Sequence, residues 1–118
     1  MSKKFTYADL AYLESMSLGN EMIAEMIDLF VQQVPEFTEG LTSLLASGDY
    51  PALGALAHKA KSSAAALGMN STATDLKTLE LTAKAGEEKE NYPILVQRFI
   101  DQVTLTVEEL TAYANTIR

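Results

Sequence analysis

The sequence predicts an all-α protein, an antiparallel up-down-up-down four-helix bundle with a short additional N-terminal helix. Apolar residues recur every three or four positions along most of the chain, which is the spacing of one helix face. Alternating apolar and polar residues, which would indicate strands, are almost absent. Only 6 glycines and 3 prolines interrupt the 118 residues, so we expect short connections and a single domain over residues 1–118.

The first two predicted helices differ greatly in length. Residues 7–15 (YADLAYLES) form a short helix with Leu10 and Leu13 on one side, and we expect it to cover one end of the bundle. The apolar stripe of the second helix consists of Ile23, Ile27, Phe30, Val34, Phe37, Leu41 and Leu44. This spacing continues through Pro35, which removes one backbone hydrogen bond, so we expect a kink there with the same face inward.

The three later helices are bounded by residues that favour helix ends. Asp49 is a predicted N-cap, and Pro51 follows it in the first turn. The other predicted boundaries are a stop at Gly68, a cap at Asn70 or Ser71, a stop near Gly86 and a cap at Asn91. Each of these helices has its own apolar stripe, and stripes of this kind are buried together in the core of a bundle.

The charge balance and the composition exclude several classes of function. The formal net charge is −7, so the chain repels phosphate backbones and we expect no nucleic-acid partner. No apolar run approaches the roughly 20 residues of a membrane span, and the N-terminus lacks the apolar segment of a secretory signal. Without cysteine, disulfides and thiolate metal sites are excluded. We expect a cytoplasmic monomer, and the start at Met1 favours a free-standing chain.

The single histidine lies in a stretch without acidic residues. From Tyr50 to Thr74 there is no Asp or Glu, and His58 lies there in the sequence LAHKAKSSAAALG. On a helical wheel His58 lies roughly 140° from the apolar face, so it points away from the core. The residues beside it are small where an exposed helix face normally carries long polar side chains, which favours docking by another protein. This predicted partner face consists of Gly54, Ala55, His58, Lys59, Lys61, Ser62 and Ala65.

An exposed imidazole acts as a base, a metal ligand or a nucleophile. A metal site is not favoured, because the chain has one histidine, no cysteine and no acidic residue near it in sequence. A catalytic pair of Ser62 and His58 is not favoured either, because a helix surface offers no pocket or oxyanion donors. The use of the imidazole that stays open is nucleophilic attack on a phosphoryl group held by a partner. Lys61 lies one turn away and would offset the phosphate charge. Lys59 is farther round the helix and is interpreted as a solvated lysine.

The group that orients the imidazole is predicted on the fourth helix. The turn between the third and fourth helices centres near Met69, and His58 and Glu80 are each eleven residues away from it. In an antiparallel hairpin these two positions lie at about the same height, so Glu80 is a candidate acceptor for a ring N–H. A solvated surface glutamate is the alternative interpretation.

These residues resemble the histidine-containing phosphotransfer (HPt) domains. The family pattern is approximately His-x-Leu-Lys-Gly-Ser-Ser/Ala-x-x-Leu-Gly, and HKAKSSAAALG matches it at His58, Lys61, Ser63, Leu67 and Gly68. Leu79 and Glu80 are similar to a Leu-Glu or Leu-Gln pair that the family often has downstream. The resemblance implies that His58 accepts the phosphoryl group, that Lys61 is the neighbouring cation and that Glu80 hydrogen-bonds the ring.

The resemblance also implies a function and partners. Such domains shuttle a phosphoryl group between receiver-domain aspartates, so a response-regulator receiver domain and a hybrid histidine kinase are the expected partners. No kinase or hydrolase activity and no cofactor of its own are expected, and Mg²⁺ belongs to the receiver. Ser62 stands where the family most often has Gly, and Ala60 replaces a common Leu; neither change removes a reactive group.

Two other classes of function stay open. One is a helical-bundle adaptor that binds receiver or other signalling domains without being phosphorylated, and the other is a small acid-base or hydrolytic enzyme that uses His58. On the second helix, three apolar residues outside or beside the core stripe are candidates for a docking patch, namely Met22, Met26 and Leu29, of which Met26 fits the core better.

Overall fold

Residues 5–118, which a computed structural model of the chain describes, form helices joined by short connections. The helices are α1 (Ala11–Ser15), α2 (Asn20–Ser47), α3 (Tyr50–Ala66), α4 (Asn70–Ala85) and α5 (Tyr92–Ile117), with a 3₁₀ turn at Lys89–Asn91. No strand occurs within the described residues, and the predicted all-α fold is confirmed. The first four residues of the predicted domain lie outside the described residues.

Helices α2 to α5 form an antiparallel bundle in which each helix packs against the next and α5 returns to α2. The apolar stripes face inward and meet in one core. Its fully buried large side chains are Leu10, Ile27, Phe37, Leu41, Leu53, Leu67, Met69, Leu76, Leu79, Tyr92, Val103 and Leu110. The predicted stripes are therefore correct in direction, and their end members, such as Leu44 and Ile117, are half-buried.

The long helix α2 is continuous over 28 residues although Pro35 lies inside it. Phe30 and Phe37, on either side of the proline, are both buried. The same face therefore stays inward through Pro35, because burial of the two phenylalanine rings outweighs the loss of one backbone hydrogen bond.

The N-terminal segment covers the end of the bundle at which α3 and α4 are joined. Helices α2 and α5 have 28 and 26 residues, against 17 and 16 for α3 and α4, so the longer pair extends past that turn. The backbone N–H of Thr6 donates to the Glu109 carboxylate at 2.9 Å, and the backbone N–H of Asp9 donates to the Leu67 carbonyl at 3.1 Å. The short helix thus covers one end as predicted, but it begins at Ala11.

Of the three predicted helix caps, one is confirmed, one is at the predicted position without its side-chain hydrogen bond, and one is wrong. Asp49 caps α3 as predicted, since its carboxylate accepts a hydrogen bond from a backbone N–H at 3.2 Å. Helix α4 already includes Asn70 and Ser71, and the residue at its N-cap is Met69, whose side chain is fully buried in the core. Asn91 is at the N-cap position of α5, as predicted, but it belongs to the 3₁₀ turn, has helical φ and ψ, and makes no side-chain capping hydrogen bond.

Candidate functional site

His58 lies on the outer face of α3, on the side nearest α4. Its side chain is 57% exposed, whereas Ala57 and Ala60, on the opposite face of the same helix, are buried. Ala55 and Ala65 on either side along the helix are exposed as well, as the wheel predicts. The imidazole is therefore accessible from solvent, and its neighbours on α3 are too small to cover it.

Glu80 approaches the imidazole from α4. Its side chain is only 9% exposed, and within residues 5–118 no other acidic residue is buried. The Nδ1–H of His58 donates to Oε2 of Glu80 at 2.9 Å, at the height that the spacing from Met69 predicts. Because an ionised carboxylate only accepts hydrogen bonds, Nδ1 carries the proton and the lone pair of the neutral ring is on Nε2.

Two lysines hold the same carboxylate. Nζ of Lys61 donates to Oε1 of Glu80 at 3.1 Å, and Nζ of Lys84 donates to Oε2 at 3.0 Å. The hydrogen bond from Lys84, followed by those from Lys61 and His58, lowers the pKa of Glu80 to about 2, against the opposing effect of burial. Glu80 is therefore ionised at neutral pH despite its burial.

Lys84 is a site residue that the sequence analysis missed. It follows Glu80 by four residues on α4, which is a spacing at which helical side chains meet. The signal was present, but pairs of Glu and Lys at this spacing are common on exposed helix faces, and only the burial of Glu80 sets this one apart.

Gly54 was predicted on the exposed partner face, and this is wrong. The residue is buried, because α4 lies directly against it. A Cβ atom at Gly54 would lie 3.1 Å from the backbone oxygen of Glu80 and 3.1 Å from Cγ of Lys84. The missing side chain makes room for the aliphatic part of Lys84 on its way to the carboxylate.

Lys59 and Ser62 are both exposed but lie outside the group around Glu80. Nζ of Lys59 pairs with Oε2 of Glu36 on α2 at 2.8 Å, and both side chains are about half exposed. The hydroxyl of Ser62 donates to the backbone carbonyl of His58 at 3.3 Å. The Ser62 side chain therefore lies along the helix and leaves the ring uncovered.

A shallow apolar groove of about 280 Å³ runs between α2 and α3 and reaches Ser62, one helical turn from His58. Its lining residues are Met26, Leu29, Phe30, Gln33, Ser62, Ser63, Ala66 and Leu67. Leu29 is 57% exposed, and Met22 near it on α2 is also exposed, while Met26 is half-buried against the core. An exposed apolar strip therefore lies on the α2 side of α3 and begins one helical turn from His58.

The chemistry of the site is that of an oriented imidazole next to one carboxylate and two ammonium groups. Within the part of the chain that the structure describes, no group of three or more His, Asp or Glu side chains is arranged to hold a metal ion. No helix among residues 5–118 has the length and the apolarity needed to cross a membrane. The exposed nucleophile in a locally basic setting suits transfer of an anionic group from a docked partner.

A comparison with protein families identifies the family of this helical bundle. The model of the Hpt domain family matches residues 25–113. The chain belongs to the Hpt domain family. The matched segment contains α3 and α4, with His58, Lys61, Glu80 and Lys84, so the resemblance drawn from the sequence is confirmed. No curated protein and no solved structure matches the chain significantly.

Hpt domains have general properties that bear on the function of this chain. Hpt domains are phosphotransfer modules of phosphorelays and are generally not enzymes. In general they interact with receiver domains and with kinases. These properties favour a relay over a hydrolytic use of His58.

Proposed function

We propose that this Hpt domain is a phosphorelay intermediate. His58 accepts a phosphoryl group from the phospho-aspartate of one receiver domain and passes it to the aspartate of another. The observation that carries the proposal is an exposed imidazole whose Nδ1–H is bonded to a buried carboxylate at 2.9 Å. That bond leaves the Nε2 lone pair free on the solvent side of the ring.

In the transfer step this chain contributes the imidazole of His58 and the carboxylate of Glu80, and the partner contributes the phospho-aspartate. The Nε2 lone pair of His58 attacks phosphorus, and the bond between phosphorus and the aspartate oxygen breaks, with its electron pair leaving on the carboxylate. The ring keeps its Nδ1 proton and becomes a phosphorylated imidazolium, whose positive charge Glu80 stabilises through the existing hydrogen bond. The same steps in reverse deliver the group to the next receiver.

Lys61 offsets the charge of the phosphoryl group. It lies one turn from His58 on α3, its side chain is 25% exposed, and its ammonium bonds Oε1 of the carboxylate that also holds the ring. A phosphoryl group carries close to two negative charges at neutral pH, so a neighbouring ammonium stabilises the phosphorylated form. The Mg²⁺ ion required for aspartate chemistry belongs to the receiver, and this chain supplies no cofactor.

The docking surface combines the small residues of α3 with the apolar groove on α2. Ala55, Ser62 and Ala65 are exposed and leave space for the partner to bring its aspartate to Nε2. Met26 and Leu29 line the groove beside them, and flexible or exposed apolar side chains of this kind adapt to a partner surface. The partners are a response-regulator receiver domain and the receiver of a hybrid histidine kinase, each docking singly on a monomer.

The proposal is tested by labelling with receivers. The purified chain is incubated with a panel of ³²P-phosphorylated receiver domains and Mg²⁺, including receivers from its own source. We expect at least one receiver to transfer label to the chain as an adduct that is labile in acid and stable in base. His58→Gln, with nearly the same size and polarity, is expected to take up no label.

The outcome separates the relay from an adaptor. If no receiver labels the chain while His58→Gln and the original chain bind receivers equally well, the relay is wrong and a binding adaptor replaces it. Label that persists in His58→Gln would show that another residue is the acceptor.

A further inference from the structure

Glu80 is shared by three donors, and its charge affects the phosphorylated state. His58 and Lys84 both bond Oε2, at 2.9 and 3.0 Å, and Lys61 bonds Oε1 at 3.1 Å. When His58 carries a phosphoryl group, close to two further negative charges arrive within one ring's width of this carboxylate. An uncompensated carboxylate at that distance repels the phosphoryl group and slows its transfer to the ring.

The two lysines approach Glu80 from different helices. Lys84 is on α4 with Glu80, and the order Glu then Lys at four residues is the favourable one along a helix. Lys61 is on α3 with His58. Lys84 bonds the same oxygen as the ring, which places its ammonium within about 6 Å of Nδ1. Its stem is seated over Gly54, with Cγ 3.1 Å from where a Cβ would be.

We propose that the two lysines have different tasks, Lys84 being a positioning residue that offsets the charge of Glu80 so that Lys61 can turn to the phosphoryl group. This inference rests on the proposed function. Without Lys84, Lys61 would be the only ammonium left at the buried carboxylate, and it would stay there. The phosphoryl group would then lose its neutralising cation as well as meet a less compensated negative charge.

The burial of Glu80 separates this pair from an ordinary helix-surface pair. An exposed Glu and Lys at this spacing contribute a few tenths of a kcal/mol and are screened by water. The Glu80 side chain is 9% exposed, against 52% for Lys84, so water screens the charge of this carboxylate less than it screens an exposed glutamate. Removal of Lys84 therefore acts on Glu80 and, through it, on Lys61.

The inference predicts that the effect of Lys84 depends on the charge of Glu80. Uptake from potassium phosphoramidate is followed by ³¹P NMR in the original chain, Lys84→Met, Glu80→Gln and the double variant. In this reaction the P–N bond of the donor breaks, ammonia leaves and Nε2 of His58 bonds phosphorus. We expect Lys84→Met to slow uptake by about tenfold when Glu80 is present, and to slow it no further when residue 80 is Gln. Lys84→Arg, which keeps the charge, restores the rate.

A charge-matched control removes a lysine far from the site. Lys89 lies over the ring of Tyr50, at the start of α3, about 12 Å along the helix axis from His58. We expect Lys89→Met to leave uptake unchanged. Equal slowing by Lys84→Met in both backgrounds would show that Lys84 acts on the phosphoryl group itself and would overturn the inference. Unchanged uptake in both backgrounds would overturn it as well.

A second readout needs no phosphorylation. The Glu80 carboxyl is titrated by ¹³C NMR, and we expect Lys84→Met to raise its pKa, which lies at about 2 in the original chain, and Lys89→Met to leave it unchanged. An unchanged midpoint in Lys84→Met would contradict the inference even if the chain takes up phosphate. If the original chain takes up no phosphate from phosphoramidate or from any receiver, the proposed function fails, and this titration still decides whether Lys84 offsets Glu80.

Discussion

The α2–α5 side of the bundle and the α3–α4 side are built from different residues. Helices α2 and α5 bury aromatic rings, among them Phe30, Phe37 and Phe99, whereas the inward face of α3 is mostly alanine. Large buried side chains contribute most of the hydrophobic stabilisation. Small ones let α4 approach α3 until side chains on the two outer margins meet, as His58 and Glu80 do at 2.9 Å. The buried aromatic rings and the geometry of the site therefore belong to different helices.

The charges follow the same division. On the α2–α5 side, Arg118 pairs with Asp28 at 2.7 Å, and both side chains are more than two-fifths exposed. On the α3–α4 side, Glu80 is buried and has three donors. Exposed pairs contribute little to stability, whereas removal of a partner from a buried charge is costly. Within residues 5–118, the site is the one place where a charged side chain is buried. The predictions below test each side of the bundle in turn.

The largest expected effect is on the aromatic side. Phe37 is 1% exposed, so Phe37→Ala is expected to lower the free energy of unfolding by about 3–5 kcal/mol, measured by urea denaturation. Phosphate uptake by His58, measured at low temperature on the folded fraction, is expected to stay within about twofold of the original. If uptake falls by much more than the unfolded fraction explains, the division between the two sides is contradicted.

The next effect is at the turn that joins α3 and α4. Gly68 has φ of +70°, and a Cβ there would lie 2.0 Å from the backbone oxygen of Asp9. Gly48 has φ of +73° with nothing within 4 Å, which makes it a matched control. We expect Gly48→Ala to cost about 1–2 kcal/mol for the left-handed backbone alone and Gly68→Ala to cost about 1–3 kcal/mol more for the clash. Equal costs in thermal or urea unfolding would show that the N-terminal segment does not pack against this turn.

The fold and the centre of the site could be predicted from the sequence because both depend on helical periodicity. The wheel places His58 outward, and counting from Met69 brings Glu80 to the same height. What could not be predicted depends on contacts between helices. A wheel treats α3 alone, so it leaves Gly54 exposed where the stem of Lys84 covers it. The cap predicted at Asn70 or Ser71 is wrong because the buried Met69 stands at the start of α4, and Asn91 makes no side-chain cap because the 3₁₀ turn gives it helical φ and ψ.

A pH-dependent effect is expected from Glu80. Its pKa is lowered to about 2, so its ionised form stabilises the folded chain above the usual carboxyl range, and that contribution is lost as the pH falls from about 4.5 toward about 2. Urea denaturation at pH 6 and at pH 3 should show a smaller loss of stability in Glu80→Gln than in the original chain. Asp28→Asn removes an exposed carboxylate whose pKa is lowered by its hydrogen bond from Arg118, and its effect on the acid dependence is expected to be smaller because water screens the pair. An equal acid dependence in Glu80→Gln and the original chain would contradict the account of Glu80.

The smallest effect is expected at Lys59, on the side of α3 that faces α2. Its pair with Glu36 is about half exposed on both sides, so Lys59→Met should change the free energy of unfolding by less than about 1 kcal/mol. Uptake from phosphoramidate should be unchanged, whereas Lys61→Met should slow it. Slower uptake in Lys59→Met than in Lys61→Met would reverse the assignment of the neutralising cation.

The central claim is that Glu80 holds the Nδ1–H of His58 and leaves Nε2 as the nucleophile. Because His58 is the single histidine of the chain, ¹⁵N labelling of histidine gives ring signals from that residue alone, before and after phosphorylation. The account predicts the Nδ1–H form of the neutral ring and a phosphorus coupling to Nε2 in the adduct. A phosphoryl group on Nδ1, or an adduct with no coupling to the His58 ring, would contradict it.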